Sequence, residues 1–234
     1  LTTAQMQGLT TTAVRALSTD QIVALTTAQA SSLTTAQISS FTTQQVNKLT
    51  TTNTTALTTS QIKALGSAQI AAMTTDQINN LTSAQVQSLS TAGISSITTA
   101  NIALLTTTTI SNLSTAQIQA LSSSQFANLT TGDIAALTST QYAALTTKQI
   151  MGLDVTRVLA LFGGASVSTK ISSLPPNALT KLTATNTSSL TSAQLGALTT
   201  AQIPGLSTNV LGSLTTTSSG QIKGLTTAQV AALT

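Results

Sequence analysis

Side chains able to do acid–base or nucleophilic chemistry are few and scattered in this sequence of 234 residues. The acids are Asp20, Asp76, Asp133 and Asp154, and the bases are eight lysines and arginines. Histidine, cysteine and glutamate are absent, and Tyr142 is the single tyrosine. A serine nucleophile would therefore have only a lysine to activate it. In so serine-rich a chain, Lys148, Lys170 and Lys181 lie near serines by chance, so we predict that the protein is not an enzyme and has no catalytic residue.

Binding chemistry is equally sparse. Isolated aspartates without histidine or cysteine do not make a metal site, and Gly163-Gly164 lacks the G-x-G-x-x-G spacing of a dinucleotide loop. There is no basic run interleaved with aromatic residues and no apolar stretch approaching ~18 residues. We therefore expect no cofactor, metal site, small-molecule substrate, nucleic-acid partner or membrane insertion.

The dominant feature is a repeat of eight residues, which runs without a slip from Leu1 to Ala160 in 20 octads. We letter its positions a to h, so that Leu33-Thr34-Thr35-Ala36-Gln37-Ile38-Ser39-Ser40 is one unit. Position a is usually Leu, b is Thr, Ser or Asp in 19 of the 20 units, and e is Gln in 13 of them. Position f is apolar in 19 of the 20 units, Thr54 being the exception. A strict short period of this kind is typical of a solenoid or fibrous array.

The octad contains the signature of a helix start. Thr34 and Gln37 fit the capping box, in which the hydroxyl accepts from the backbone N–H three residues on and the Gln side chain accepts from the cap's own N–H. If b is the N-cap, then a and f are the two positions of the hydrophobic staple. The sequence therefore predicts an all-α solenoid of short capped helices, each about c to h. Gly8, Asn80, Asn112, Asn128 and Gly152 at h suit a left-handed helix end.

A β-solenoid is the alternative fold. Thr, Ile and Val favour strands, whereas Ala, Gln and Leu favour helices and the alternation of a half-buried strand is missing. Neither an uninterrupted helix nor a flat strand places a and f on one face.

The octad register is interrupted in the C-terminal third. Five residues are inserted at Leu161-Phe162-Gly163-Gly164-Ala165, after which the a series resumes at Leu174, and Pro175 and Pro176 fall at b and c. We predict an octad solenoid at 1–160, an irregular insertion or corner at 161–176 and a resumed octad solenoid at 177–234. A second insertion, of three residues near Thr217-Ser218-Ser219-Gly220, precedes Leu225.

Asp154 and Arg157 replace the usual Thr and Gln at b and e of one octad. We interpret the pair as a charged variant of the capping box, because an aspartate is favourable at a helix start.

The octads resemble long tandem arrays in very large secreted or surface proteins of Gram-negative bacteria, often described as adhesin-like or linked to haem uptake. This resemblance covers nearly the whole chain and implies an extracellular or cell-surface location. Leu17-Ser18-Thr19-Asp20-Gln21-Ile22-Val23-Ala24-Leu25 also resembles the opening of TAL-effector DNA-binding repeats, but the base-reading loop of those repeats is absent. Since the sequence begins at Leu1 within the pattern, we expect it to be part of a longer protein.

The composition favours a structural role. Only 5% of residues are charged, which favours association between copies, and a thin apolar seam per octad requires many stacked units. We predict a structural repeat protein that forms an extracellular filament, sheath or surface fibre by self-association, with copies of itself as partners. The alternatives are a spacer or stalk of a giant bacterial adhesin and an ice- or surface-binding module. Against ice binding, we expect Thr at b to be buried as a cap.

Overall fold

The computed structural model describes residues 1–162, 171–172, 174–187, 190–214 and 220–233. Every regular element among these residues is a helix, and none of them is in a strand. The predicted all-α solenoid with one short capped helix per octad is therefore confirmed, and the β-solenoid alternative is wrong. The helices Thr35–Ser39 and Thr43–Lys48 each begin directly after an extended capping residue, Thr34 and Thr42.

The chain divides into two compact units, Leu1–Leu121 and Ser122–Thr234. The helices of the first unit are α1 Thr3–Gln7, α2 Thr11–Arg15, α3 Thr19–Val23, α4 Thr27–Ser32, α5 Thr35–Ser39, α6 Thr43–Lys48, α7 Thr51–Ala56, α8 Thr59–Lys63, α9 Ser67–Ala72, α10 Thr75–Asn79, α11 Ser83–Ser88, α12 Thr91–Ser96, α13 Thr99–Ile102, α14 Thr107–Asn112 and α15 Thr115–Ala120.

The second unit continues the pattern and adds three short 3-10 helices. Its helices are α16 Ser123–Ala127, α17 Thr131–Ala136, α18 Ser139–Ala143, α19 Thr147–Met151, α20 Val155–Leu161, η1 Pro176–Lys181, α21 Ala184–Thr187, α22 Ser192–Gly196, η2 Ile203–Gly205, α23 Thr208–Ser213, η3 Gln221–Gly224 and α24 Thr227–Ala231.

Helix α5 shows how one octad folds. Thr34 is extended, with φ −73° and ψ 159°, and its hydroxyl accepts a hydrogen bond from the backbone N–H of Gln37. Leu33 and Ile38, which flank the cap at a and f, are both buried. The polar cap and the apolar staple therefore act together, and burial of each such side chain contributes about 1.5–3 kcal/mol.

The helix ends differ from the prediction. Gly8 and Asn80 have φ values of −77° and −89°, so the left-handed ends expected at h are wrong. The chain leaves each helix through a tight turn, in which the N–H of Leu9 donates to the carbonyl of Met6 at 3.2 Å. The residue at h adopts the ordinary right-handed helical conformation in this turn. Backbone geometry therefore does not require glycine or asparagine there.

Within the first unit, helices three octads apart pack against each other. Contacts join α4 to α7, α6 to α9, α9 to α12 and α12 to α15. The apolar side chains at a and f fill the space enclosed by these turns, and from Leu33 onward they are almost all buried. The stacked turns thus form one continuous thin core, as in other solenoids.

Prolines lie at two of the 3-10 helices that follow the insertion. Pro175 precedes η1 without a side-chain cap bond, as expected for a residue that lacks a side-chain oxygen. Pro204 lies in η2, a 3-10 helix of three residues. The predicted corner at 161–176 stays a prediction, because residues 163–170 and 173 lie outside the described part of the chain.

Candidate functional site

The most distinctive polar group of the octad is the glutamine at e, and Gln37 shows its geometry. Its Oε1 accepts from the backbone N–H of Thr34 at 2.7 Å, which completes the capping box. Its Nε2 donates to the carbonyl oxygens of Met6 at 2.8 Å and Leu9 at 2.7 Å, which are 31 and 28 residues earlier. The side chain is only 2% exposed. One amide therefore caps its own helix and bonds to the preceding turn.

The same pair of bonds recurs in the first unit. We call these residues the inter-turn glutamines: Gln37, Gln45, Gln61, Gln69, Gln77 and Gln117. In the last five, Nε2 lies between 2.6 and 3.1 Å from the carbonyl oxygens 31 and 28 residues earlier. Each amide links a backbone N–H of one turn to backbone carbonyls of another, and hydrogen bonds in such chains polarise and strengthen one another.

The first turn provides an internal contrast. Gln5 accepts from the N–H of Thr2 at 2.8 Å, so its capping box is complete. Its side chain is nevertheless exposed, since it does not lie against an earlier turn among the described residues. Capping and inter-turn bonding are thus separate roles of one side chain.

Sequence reasoning assigned glutamine only the capping role and missed the inter-turn bond. A signal for it was present. Glutamate also completes a capping box, and its charge is favourable at a helix start, yet the chain contains no glutamate. A carboxylate has no donor for the carbonyls of the preceding turn, whereas the amide of glutamine has two.

Arg157 makes the same inter-turn contact with a different group. Its Nε donates to the carbonyl oxygen of Leu129 at 2.8 Å, 28 residues earlier, while its guanidinium pairs with the carboxylate of Asp154. The backbone N–H of Arg157 and then its side chain hold the pKa of Asp154 below its usual value. The structure therefore supports a charged variant of the capping box and gives the pair no separate site.

Asp133 is a second charged variant at e. Its Oδ2 accepts from the N–H of Thr130 at 3.0 Å and from the hydroxyl of Thr130 at 2.6 Å. The side chain is 1% exposed, so this carboxylate serves the helix start of its own octad.

The comparison with protein families was made on the sequence. The sequence model described as the ALTTAQ repeat matches residues 1–35, 55–83, 94–131 and 126–161, which together make up more than half of the chain. The chain belongs to the ALTTAQ repeat family. A comparison with curated proteins found no match.

One of the segments between the ALTTAQ matches includes an irregular octad. Residues 36–54 include Asn53 and Thr54, which replace the usual Gln and apolar residue. Asn53 still donates to the carbonyl of Leu25 at 2.7 Å, and the hydroxyl of Thr54 donates to the carbonyl of Thr50 at 2.9 Å. The run at 17–25, similar to TAL-effector repeats, falls inside an ALTTAQ match and forms the same capped helix.

The other ionisable side chains considered in the sequence lie in separate octads of the ALTTAQ repeat. Asp20 and Asp76 are exposed in the first turns of α3 and α10. Tyr142 is fully buried, its hydroxyl donates to the carbonyl of Ile134 at 2.9 Å, and burial raises its pKa. Lys148 is exposed, and Lys170 and the side chain of Lys181 lie outside what the structure describes.

The described residues hold no cluster of three or more potential metal ligands. No helix among them is long and apolar enough to cross a membrane. An open surface groove of about 810 Å³ in the first unit is lined by Asn47, Lys48, Met73 and Asn101, among others. The amide of Asn47 in this groove donates to the carbonyl of Ala72 at 2.9 Å, and the side chain of Lys48 is exposed.

Proposed function

We propose that this chain is a structural spacer, a stretch of an extracellular bacterial surface protein whose task is to extend by stacking octads. The proposal rests on one observation. The inter-turn glutamines form hydrogen bonds with backbone groups of the same chain, and the apolar side chains at a and f are buried in its core. The characteristic residues of the octad thereby serve stacking. The resemblance to arrays in large secreted and surface proteins supports the extracellular location.

A length series tests the spacer role. A copy of residues 17–48, four octads that each have a complete capping box, is inserted between Lys48 and Leu49, once and then twice. We expect the maximum dimension from small-angle scattering to increase by a constant increment per insertion, with unchanged mean helicity per residue. A dimension that stays constant, or a fall in helicity per residue, would refute extension by stacking.

Self-association into a filament, sheath or surface fibre is the second candidate, and the exposed surface favours it. Positions b, c and d face solvent in most octads, as in Thr34, Thr35 and Ala36, so an uncharged surface of Thr, Ser and Ala covers the helices. Low charge removes the repulsion that keeps copies apart. Analytical ultracentrifugation at micromolar concentrations separates the candidates: a single monomeric species favours the spacer, and large oligomers favour the fibre.

One argument against ice binding was that the threonines at b are buried. The capping threonines at b are mostly exposed, so the expectation that they are buried is wrong. Their hydroxyl oxygens accept from the N–H at e, as between Thr34 and Gln37 at 3.2 Å. A measurement of thermal hysteresis at millimolar protein tests this alternative, and an absence of hysteresis removes it.

A further inference from the structure

In one octad of the first unit, the N–H of the capping residue bonds to a side chain from an earlier turn. Its e position is Thr109, which is too short to reach back to the N–H of the capping residue, Thr106. That N–H instead donates to Oδ1 of Asn79, 27 residues earlier, at 2.9 Å. The hydroxyl of Thr109 donates to the same oxygen at 3.1 Å. Asn79 therefore supplies the acceptor that a glutamine normally supplies within its own octad.

Asn79 also bonds through its other amide atom. Its Nδ2 donates to the carbonyl oxygen of Leu104 at 3.1 Å. Asn47 occupies the same g position in a regular setting and donates to the carbonyl of Ala72 at 2.9 Å. Two residues beyond Ala72, however, the N–H of Thr74 is capped by Gln77 at 2.7 Å. The acceptor role thus distinguishes Asn79 from Asn47.

The bond between Asn79 and Thr106 bears on a problem that every near-identical repeat must solve. In regular octads a shift of stacking by eight residues gives each glutamine the same backbone carbonyls, so regular contacts do not specify register. A shift by one octad in one direction would place Ala71 against Thr106, and the alanine side chain has no acceptor. The opposite shift would place Gln87 there, whose amide oxygen is an acceptor. We propose that Asn79 fixes the stacking register of residues 79–109 against the shift that brings Ala71 to Thr106.

Two deletions of one octad each test this register device. Deletion of 81–88 removes eight residues between Asn79 and Thr106 and brings Ala71 to the place of Asn79, whereas deletion of 33–40 lies outside this segment. We expect the 81–88 deletion to lower the urea midpoint clearly more than the 33–40 deletion. Thr109→Gln allows the octad to cap its own N–H without Asn79, and in that background the difference should disappear. Equal effects in the original chain, or a difference that persists in the Thr109→Gln background, would overturn the proposal.

Point variants of the full chain test the same device without a deletion. Hydrogen exchange at the Thr106 amide should accelerate roughly tenfold in Asn79→Ala, as expected from the loss of one hydrogen bond of ~1.4 kcal/mol. The matched Asn47→Ala variant should leave the Thr74 amide unchanged, because Gln77 still caps it. Unchanged exchange at Thr106 in Asn79→Ala would show that Asn79 is not the acceptor and would overturn the proposal.

Discussion

Nε2 of Gln77 lies 2.6 Å from the carbonyl oxygen of Leu49, a residue 28 positions earlier in the chain. The same nitrogen lies 2.9 Å from the carbonyl oxygen of Val46, while Oε1 of Gln77 accepts from the N–H of Thr74. A side chain that is 1% exposed thereby satisfies three backbone groups in two turns. Buried backbone groups without partners are costly, so this amide allows turns to stack without a β-sheet between them.

Replacement of Gln77 by glutamate should destabilise the protein by about 3–5 kcal/mol at neutral pH, the usual cost of an uncompensated buried charge. One carboxylate oxygen can still accept from the N–H of Thr74. The other replaces the Nε2 donor and lies against two carbonyl oxygens, to which it cannot donate. Urea unfolding followed by circular dichroism measures the loss, and hydrogen exchange locates it.

Gln5→Glu is the matched control for this substitution. Gln5 has the same capping box but is exposed, so the change should stay within about 0.5 kcal/mol. Equal losses at both positions would contradict the inter-turn role. Acidification should partly restore the Gln77→Glu variant, because a protonated carboxyl can donate one hydrogen bond.

Arg157→Gln should be tolerated, since glutamine restores the regular octad and can reach the carbonyl of Leu129. Arg157→Met removes the Nε donor that lies 2.8 Å from that carbonyl and should cost about 1–3 kcal/mol, the penalty of an unsatisfied buried acceptor. Thermal melts of the two variants provide the comparison. Equal stability of both variants would show that the bond to Leu129 contributes nothing.

Asp154 gives a pH dependence whose sign follows from its lowered pKa. A carboxyl with a depressed pKa in the folded state stabilises the protein above its unfolded pKa of about 3.9. This contribution is lost as the pH falls through the folded pKa. The group is largely exposed, so we expect at most a few tenths of a kcal/mol. Asp154→Thr, which restores the common cap, should remove this part of the acid sensitivity in urea titrations at several pH values.

Tyr142 should ionise only when the protein unfolds. Burial raises its pKa in the folded state, so its contribution to stability is complete below the unfolded pKa of about 10 and declines as the pH rises toward the folded value. Because the chain has one tyrosine and no tryptophan, tyrosinate absorbance reports this residue alone. Ionisation near pH 10 with the far-ultraviolet dichroism unchanged would contradict the burial.

Tyr142→Phe is the companion variant. It removes the donor to the carbonyl of Ile134, which still accepts from the N–H of Leu137 at 3.3 Å. A loss of about 0.5–1.5 kcal/mol is expected from urea unfolding at neutral pH. The alkaline destabilisation should then be smaller than in the original chain.

Thr54→Val should stabilise the octad of α7 by up to about 1 kcal/mol, because it restores an apolar side chain at a position that is 1% exposed. The carbonyl of Thr50 keeps its bond to the N–H of residue 54 at 2.9 Å, so removal of the hydroxyl leaves no unsatisfied acceptor. Thr55→Val, at a half-buried position one residue on, is the control and should change stability less. A lower urea midpoint in Thr54→Val would show that the hydroxyl bond outweighs burial.

The local fold was predictable because its determinants lie within one octad. Thr34, Gln37, Leu33 and Ile38 are close in sequence, and capping and staple rules act at that range. The helix ends were mispredicted because glycine and asparagine at h resemble a left-handed cap, whereas the next octad closes the turn through Leu9 and its equivalents.

The inter-turn contacts were not predictable by the same route. Nothing within the octad of Gln77 states that its Nε2 meets the carbonyls of Val46 and Leu49, because that depends on the number of octads per turn. The role of Asn79 was hidden for the same reason. Its partner, the N–H of Thr106, is 27 residues away and has no side-chain signature of its own.

The second unit shows what chain length does to this arrangement. Across the three-residue insertion, Gln221 bonds to the carbonyls of Thr187 and Leu190, so the separations grow from 31 and 28 residues to 34 and 31. The amide therefore bonds to carbonyls at the same place in the preceding turn, even when the number of residues between them changes. Replication slippage that adds or removes whole octads in a gene of this type would therefore yield a product that folds by the same contacts. Length polymorphism should accumulate in regular tracts and be purged between the codons for Asn79 and Thr106.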